Sequence, residues 1–228
     1  MCFTPKVSFA TAFIEFFTAA WLCYRFPKSK LTAFFAVVLI FLATYQFSEF
    51  MLCVTGNTEL WGKVGFIAYT FIPAILVLFT ATPGKIKIKY LPYFIPAIII
   101  SGMAAFDKNF IIYGVCHTLF VTISNKFFSF DSNPIMTVLY CEYYFIYLAI
   151  TTIYLYRKIK IAKKKQEKFI HYLMIATIPL VIVPPMIFIV ILPAATVIFP
   201  SIYCHFAMII TLTAIISLYY ENKYLTKK

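Results

Sequence analysis

Three acidic side chains and one histidine lie well inside long apolar runs of the sequence: Glu15, Glu49, Glu142 and His205. An ionisable group in an apolar environment is costly, so it is usually paired with another group or used for binding. Glu and His side chains are also zinc ligands, and three protein ligands with one water molecule make a catalytic zinc site. These four residues are therefore the first candidates for chemistry.

The composition shows what surrounds these groups. Of 228 residues, 63% are hydrophobic and 12% are charged, whereas soluble domains have about 45–50% apolar and about 25% charged residues. Polar surface is too scarce to cover the molecule in water, so lipid must be its solvent. The net charge of +12 does not indicate a nucleic-acid partner, because the basic residues lie between the apolar runs, where they anchor cytoplasmic loops.

Seven apolar runs are long enough to cross a hydrocarbon core of about 30 Å. They cover residues 7–24, 31–53, 65–82, 90–106, 135–156, 170–191 and 196–220. We therefore predict an all-α, polytopic membrane protein, a seven-transmembrane helix bundle that forms a single domain over residues 1–228. Prolines interrupt the third, fourth and sixth runs. Packing explains them if neighbouring helices satisfy the carbonyls that proline leaves without a donor, and a functional hinge is the alternative.

The Lys and Arg residues predict the orientation. Sixteen of the 20 fall in the first, third and fifth loops and the C-terminal tail, and seven of them lie in the fifth loop, residues 157–169. Since cytoplasmic loops carry the basic residues, the N-terminus is expected outside and the C-terminus in the cytoplasm. The long external loop 107–134 is apolar. We expect a hairpin or a short helix over the mouth of the bundle, with Gly114 as a turn.

In this topology the four ionisable groups reach similar depths. At a rise of 1.5 Å per residue, Glu15, Glu49, Glu142 and His205 lie roughly 12, 6, 10 and 13 Å below the outer surface. We predict an outward-facing polar pocket that binds a small molecule or lipid, formed by Glu15, Gln46, Glu49, His117, Glu142 and His205. The alternative is a set of separate interhelical hydrogen bonds that only hold the helices together.

A more specific hypothesis is that the pocket holds a metal ion, with Glu49, Glu142 and His205 as ligands. The sequence has no HExxH motif and no histidine pair at helical spacing, so no cofactor is predicted. Among the six cysteines, Cys53 and Cys116 are the best candidates for a disulfide, and Cys2 could reach Cys204. The alternative is that the cysteines are small apolar side chains in helix interfaces.

Two resemblances rest on particular residues. The segment 60–67 with Pro73 resembles the third helix of the seven-transmembrane N-terminal sensor regions of bacterial histidine kinases and diguanylate cyclases. The start Met-Cys-Phe-Thr, with Gln46, Glu49 and Tyr203, is similar to an uncharacterised bacterial seven-helix membrane family that opens Met-Cys-Phe-Ser. The resemblances imply a bacterial-type inner or plasma membrane. A sensor kinase continues into a signalling domain, and this chain stops at Lys228, so we expect a partner to carry the output.

Three functional hypotheses follow from the residues. The first is a receptor-like sensor module that uses the polar pocket and signals to a cytoplasmic or membrane partner through residues 157–169, which also contact the lipid head groups. The second is a membrane-embedded lipid hydrolase, with or without a metal, that uses the acids and His205 as ligands or as acid and base. The third is a small transporter, which would need a polar path through the inner half of the bundle.

Overall fold

The computed structural model describes the backbone of residues 5–29, 31–81, 88–116, 121–127, 133–191 and 199–224. It describes the side chains of residues 6–29, 31–81, 90–116, 121–127, 133–181 and 207–224. These residues form seven α-helices, one 3-10 helix and one two-stranded sheet. The bounds are α1 Pro5–Arg25, α2 Thr32–Thr55, α3 Thr58–Ala81, the 3-10 helix Ile88–Phe94, α4 Ile95–Phe106, β1 Ile111–Cys116, β2 Val121–Asn125, α5 Pro134–Ile161, α6 Lys165–Ile191 and α7 Phe199–Tyr224. The chain is mostly helical.

Among the described residues, four helices are long and apolar enough to cross a membrane: α1, α2, α3 and α5. Their outer surfaces are apolar as well. On α1, Phe13 and Phe17 are each 64% exposed, one helical turn apart. Large apolar side chains on the outside are costly in water and favourable in lipid. The coarse prediction of a membrane protein is therefore supported by both the length and the surface of these helices.

The connection between α2 and α3 is shorter than predicted. Gly56 ends α2 in the left-handed conformation, with φ of 68°, and its N–H donates to the carbonyl of Leu52. Asn57 then accepts a hydrogen bond from the N–H of Leu60. This side chain satisfies a backbone donor that the first turn of a helix leaves without a partner. Consequently α3 begins at Thr58, and not near residue 65 as the apolar run indicated.

Helices α2 and α3 approach closely at Gly65. A β-carbon at this position would lie 2.4 Å from the Ser48 hydroxyl oxygen of α2. That hydroxyl donates to the carbonyl of Tyr45 at 2.6 Å, which holds it in place. Only glycine fits here without a shift of the neighbouring side chain.

The fourth apolar run is helical, but its beginning is not α-helical. Residues Ile88–Phe94 form the 3-10 helix, and α4 follows from Ile95. Pro92 and Pro96 lack the N–H that an α-helix would use at these positions. The two prolines explain why a long α-helix does not form over this run.

The segment between α4 and α5, which the sequence predicted to be an external loop, contains an antiparallel hairpin, one of the two predicted forms. Strands β1 and β2 pair, and Gly114 lies opposite Ile123 inside the ladder. The prediction of a turn at Gly114 was therefore wrong. A β-carbon at Gly114 would lie 3.1 Å from the Thr58 methyl carbon, so this glycine allows the strand to lie against the start of α3.

Aromatic side chains fix the hairpin on the helices. Phe110 and Phe127 flank the two strands and are 1% and 5% exposed. The rings of both contact Phe66 of α3, with centroid distances of 4.7 and 5.5 Å. Aromatic pairs at such distances add to the free energy gained from burial alone.

A partly exposed ion pair joins the end of α4 to the end of β2. The Lys126 ammonium donates to the Asp107 carboxylate, and this hydrogen bond is the main reason why the pKa of Asp107 lies below its usual value. A hydrogen bond from the N–H of Asn109 acts in the same direction. Both interactions favour the charged carboxylate.

The basic segment 157–169 is largely helical. Helix α5 continues to Ile161, and α6 begins at Lys165, so residues 162–164 make the connection. Lys and Arg are good helix formers, which is why the charged ends extend both helices beyond their apolar runs. The predicted span 196–220 corresponds to α7, Phe199–Tyr224.

Candidate functional site

Helices α1 and α2 bury a cluster of polar side chains between them. Gln46 donates to the Glu15 carboxylate, with 3.2 Å between Nε2 and Oε1. One helical turn along α2, Glu49 accepts from the Tyr45 hydroxyl at 2.7 Å and from the Ser8 hydroxyl at 3.3 Å. The spacings Ser8 to Glu15 and Gln46 to Glu49 place each pair on one face of its helix. We call these five residues the acid cluster.

The acid cluster is a packed interface. Glu15 and Gln46 are fully buried and Glu49 is 1% exposed. Two of its atoms, Glu15 Oε2 and Gln46 Oε1, have no hydrogen-bond partner among the described residues. Both are acceptors when Glu15 is ionised, whereas a neutral carboxyl group also has one O–H donor. A proton on Glu15 would therefore give the cluster the donor that it lacks.

Of the other residues of the predicted pocket, the structure describes only the side chain of Glu142, and it is not brought to the acid cluster. Glu142 is exposed on α5, which packs against α3 and α6. His117 and the side chain of His205 lie outside the described residues. Within the described part of the chain, no three His, Cys, Asp or Glu residues are placed to hold a metal ion. The metal set Glu49, Glu142 and His205 and the ligand-binding roles of the pocket residues stay predictions.

The structure joins Cys53, near the end of α2, to Cys116, at the end of β1, in a disulfide with a Cα–Cα distance of 5.7 Å. This bond ties the hairpin to the bundle. Cys23 and Cys141 are free thiols, exposed and half-buried respectively. The suggested approach of Cys2 to Cys204 lies outside the described side chains.

A second polar interface lies between α3 and α5, where tyrosines repeat on one face of α5. Tyr144 donates to the carbonyl of Tyr69. In an α-helix that carbonyl would accept from residue 73, but Pro73 has no N–H. Tyr143 donates to the next carbonyl of α3, that of Thr70, at 2.8 Å. The neighbouring helix therefore satisfies the backbone around a proline, as packing requires.

Tyr147 extends this interface by two turns of helix along α5 from Tyr140. Its hydroxyl donates to the carbonyl of Tyr93 at 2.8 Å. In a 3-10 helix that carbonyl would accept from residue 96, which is Pro96. Tyr140 completes the set through a 3.0 Å hydrogen bond with the Thr70 hydroxyl. These four side chains and the backbone that they contact form what we call the tyrosine interface.

A cavity of about 190 Å³ lies between α2, α3, α5, α6 and α7. An engineered apolar cavity of about 150 Å³ is known to bind small apolar molecules, so this volume can hold a ligand. The wall is mainly apolar, and its residues include Phe34, Val38, Leu42, Ile72, Leu76, Leu148, Leu155, Met174, Ile178 and Ile210. Pro73 and Tyr144 of the tyrosine interface also line it.

Tyr45 connects the cavity to the acid cluster. It lines the cavity, and its hydroxyl donates to Glu49. A change at the cavity wall can therefore reach the Glu49 carboxylate through one side chain.

Sequence reasoning missed the cavity. The sequence carries little signal for the cavity, because apolar residues of five helices form most of its wall. In the sequence, an apolar residue that lines a cavity cannot be distinguished from one that packs in a core. Polar residues inside apolar runs were the available hint, namely Thr151 on α5, Thr177 on α6 and Thr213 on α7, all of which line the cavity.

Comparison of the chain with protein-family models, curated proteins and solved structures finds no match. The function is therefore inferred from the geometry of the described residues.

Proposed function

We propose that this protein is a receptor-like membrane module that binds a small molecule inside its helix bundle. One observation carries the proposal: side chains of five helices line an apolar cavity large enough for a ligand. Ligand sites of this kind are concave and mostly apolar, and they lie between the helices of bundles. This site differs from the pocket expected from the sequence, because the carboxylates of the acid cluster lie between α1 and α2.

Seven membrane spans are part of the proposal, with the N-terminus outside and the C-terminus in the cytoplasm. The distribution of Lys and Arg supports this orientation. The disulfide between Cys53 and Cys116 supports it independently, since disulfides persist in oxidising compartments and this one lies on the side assigned to the outside.

The fourth span is the shortest. The 3-10 helix has 7 residues and α4 has 12. At rises of about 2.0 and 1.5 Å per residue, the two would extend roughly 32 Å if they were coaxial. This length suits a hydrocarbon core of about 30 Å.

Helix α5 is the proposed route from the cavity to the cytoplasm. It has 28 residues, lines the cavity with one face and carries Lys158 and Lys160 in its last turn. A ligand that shifts α5 would move the basic segment 157–169. That segment is the proposed contact for a signalling partner and for anionic lipid head groups.

The test is a search for a bound molecule by native mass spectrometry after purification in a mild detergent. Leu148→Phe places a larger side chain in the cavity wall, and Ile146→Phe is the control, since Ile146 is 55% exposed and does not line the cavity. We expect a bound species in the wild type and in Ile146→Phe, and its loss in Leu148→Phe. A species that remains in a folded Leu148→Phe variant would contradict binding in this cavity.

Orientation is tested with the exposed thiol of Cys23, near the end of α1. A membrane-impermeant maleimide should label it in inside-out vesicles and not in right-side-out vesicles. The opposite result would reverse the topology.

A further inference from the structure

The cavity is long compared with its volume. Its lining positions on α5 run from Tyr140 to Leu155, a distance of roughly 22 Å at 1.5 Å per residue. On α2 they run from Phe34 to Tyr45, about 16 Å. A volume of about 190 Å³ spread along this length leaves a narrow space. An extended hydrocarbon chain fits such a space better than a compact ring system does.

One hydroxyl in the wall lacks a partner. Thr151 lines the cavity, is 1% exposed, and its Oγ1 makes no hydrogen bond with the described residues. Nearby threonines behave differently: Thr152 and Thr177 donate to carbonyls one turn earlier in their helices. A buried hydroxyl without a partner is costly. Rotation about χ1 exchanges the hydroxyl and methyl positions of threonine, so a polar atom of a ligand at this wall can supply the partner.

The wall also restricts the charge of the ligand. None of the described residues that line the cavity is a Lys, Arg, His, Asp or Glu. A carboxylate or an ammonium group would therefore be buried without an opposite charge, which costs far more than burial of a neutral group. A hydroxyl or carbonyl group has no such cost when it bonds to Thr151.

Two residues of α5 line the cavity and are also accessible on the surface of the bundle. Phe145 lines the cavity and is 46% exposed. Cys141, one turn earlier, also lines it and is half-buried. Because the outside of the bundle is apolar and faces lipid in the proposed topology, a molecule dissolved in the bilayer can enter beside these residues.

We infer that the ligand is a neutral, single-chain lipid with one hydroxyl or carbonyl group, taken up from the bilayer beside Phe145 and hydrogen-bonded to Thr151. This inference rests on the proposed function and adds the chemical class of the ligand. The chain occupies the space along α5, and the polar group of the lipid satisfies the Thr151 hydroxyl.

Protection of Cys141 tests the inference. The full chain in detergent is alkylated with N-ethylmaleimide, and the rate at Cys141 is measured by mass spectrometry against the rate at Cys23. The probes are 1-hexadecanol, hexadecane and hexadecanoate. We expect 1-hexadecanol to protect Cys141 at the lowest concentration, while Cys23 reacts at an unchanged rate.

Two substitutions examine the polar contact. Thr151→Val removes the hydroxyl and keeps the shape, and Thr151→Ser keeps the hydroxyl. We expect Thr151→Val to weaken the binding of 1-hexadecanol about 3- to 10-fold, the loss of one hydrogen bond, and to leave hexadecane unaffected. Thr151→Ser should bind 1-hexadecanol as the wild type does. Thermal unfolding of each variant is the control for folding.

The outcomes separate this inference from the proposed function. Equal protection by all three probes, unchanged in Thr151→Val, would overturn the contact with Thr151 and leave the cavity as a binding site. Preference for hexadecanoate would overturn the neutral class. Absence of protection by every probe would overturn the lipid-chain inference, and the proposed function would also fail if native mass spectrometry found no bound species.

Discussion

The acid cluster and the tyrosine interface are both polar and both buried between helices, yet they differ in how many of their polar atoms have a hydrogen-bond partner. In the tyrosine interface, Tyr143, Tyr144 and Tyr147 each donate to a backbone carbonyl. In the acid cluster, Glu15 Oε2 and Gln46 Oε1 have no partner among the described residues. The hydrogen bonds of Tyr144 and Tyr147 therefore have a structural explanation in the prolines, whereas the acid cluster is not explained by packing alone.

This difference shows where polar residues in a membrane bundle carry information beyond the fold. Hydroxyl groups that replace the N–H of a proline are required by the backbone. Carboxyl groups buried beside an amide are not required by any backbone feature, and they change charge with their surroundings. Tyr45 joins the acid cluster to the cavity, so a shift of Tyr45 at the cavity wall would act directly on its hydrogen bond with Glu49.

The largest predicted effect is the loss of stability when the disulfide is removed, and it should appear at the hairpin and not at the acid cluster. The disulfide closes a sequence separation of 63 residues, for which chain entropy gives about 4 kcal/mol of stabilisation. Replacement of Cys53 and Cys116 by Ala should lower the free energy of unfolding by up to that amount. Hydrogen exchange should increase in β1 and β2, and not in α1. Cys23→Ala is the control, and equal stability of the disulfide variant and this control would contradict the prediction.

The second prediction breaks the acid cluster. Gln46→Leu removes the donor to Glu15 and leaves a buried carboxyl group without it, which should cost about 2 kcal/mol. The double variant Gln46→Leu with Glu15→Leu removes both polar groups and should recover much of that loss. Reversible unfolding in mixed micelles measures both. If the double variant lost as much stability as the single variants Gln46→Leu and Glu15→Leu together, the two residues would not be coupled.

The third prediction tests the explanation of the tyrosine interface. Tyr144→Phe deprives the carbonyl of Tyr69 of this hydroxyl and should cost about 1 kcal/mol. In a Pro73→Ala background, residue 73 has an N–H again, so the same substitution should cost less. Thermal unfolding of the four proteins gives the coupling. An equal cost in both backgrounds would show that the hydroxyl does not replace the missing N–H.

The smallest effect concerns the ion pair at the base of the hairpin. Because the pKa of Asp107 is lowered in the folded protein, the carboxylate stabilises the fold above its unfolded pKa of about 3.9, and this contribution disappears as the pH falls through the folded value. Wild type should therefore be slightly more stable than Asp107→Asn at pH 7 and equal to it in strong acid. The melting temperatures of the two proteins at each pH measure this, and a constant difference would exclude the ion pair as its cause.

The sequence predicted the class of fold because apolar length and charge placement are properties of single segments. It predicted that Glu15, Gln46 and Glu49 lie inside the protein, since ionisable and amide groups in such runs avoid lipid. It did not predict that α3 begins at Thr58, because Gly56 and Asn57 end one helix and begin the next through local hydrogen bonds within an apparently continuous loop. The sequence did not predict the cavity either, because a cavity depends on how the side chains of five helices pack against one another.

The two-residue connection between α2 and α3 has a mechanical consequence. A connection of Gly56 and Asn57 keeps the ends of the two helices within about 10 Å of each other in any conformation. The disulfide at Cys53 restrains the same end. If the cavity widens between these helices to admit a ligand, they must therefore tilt about that end, and the displacement must grow toward Thr32 and Ala81. Distance measurements between spin labels at the two ends of this helical hairpin would then report ligand entry as motion at one end alone.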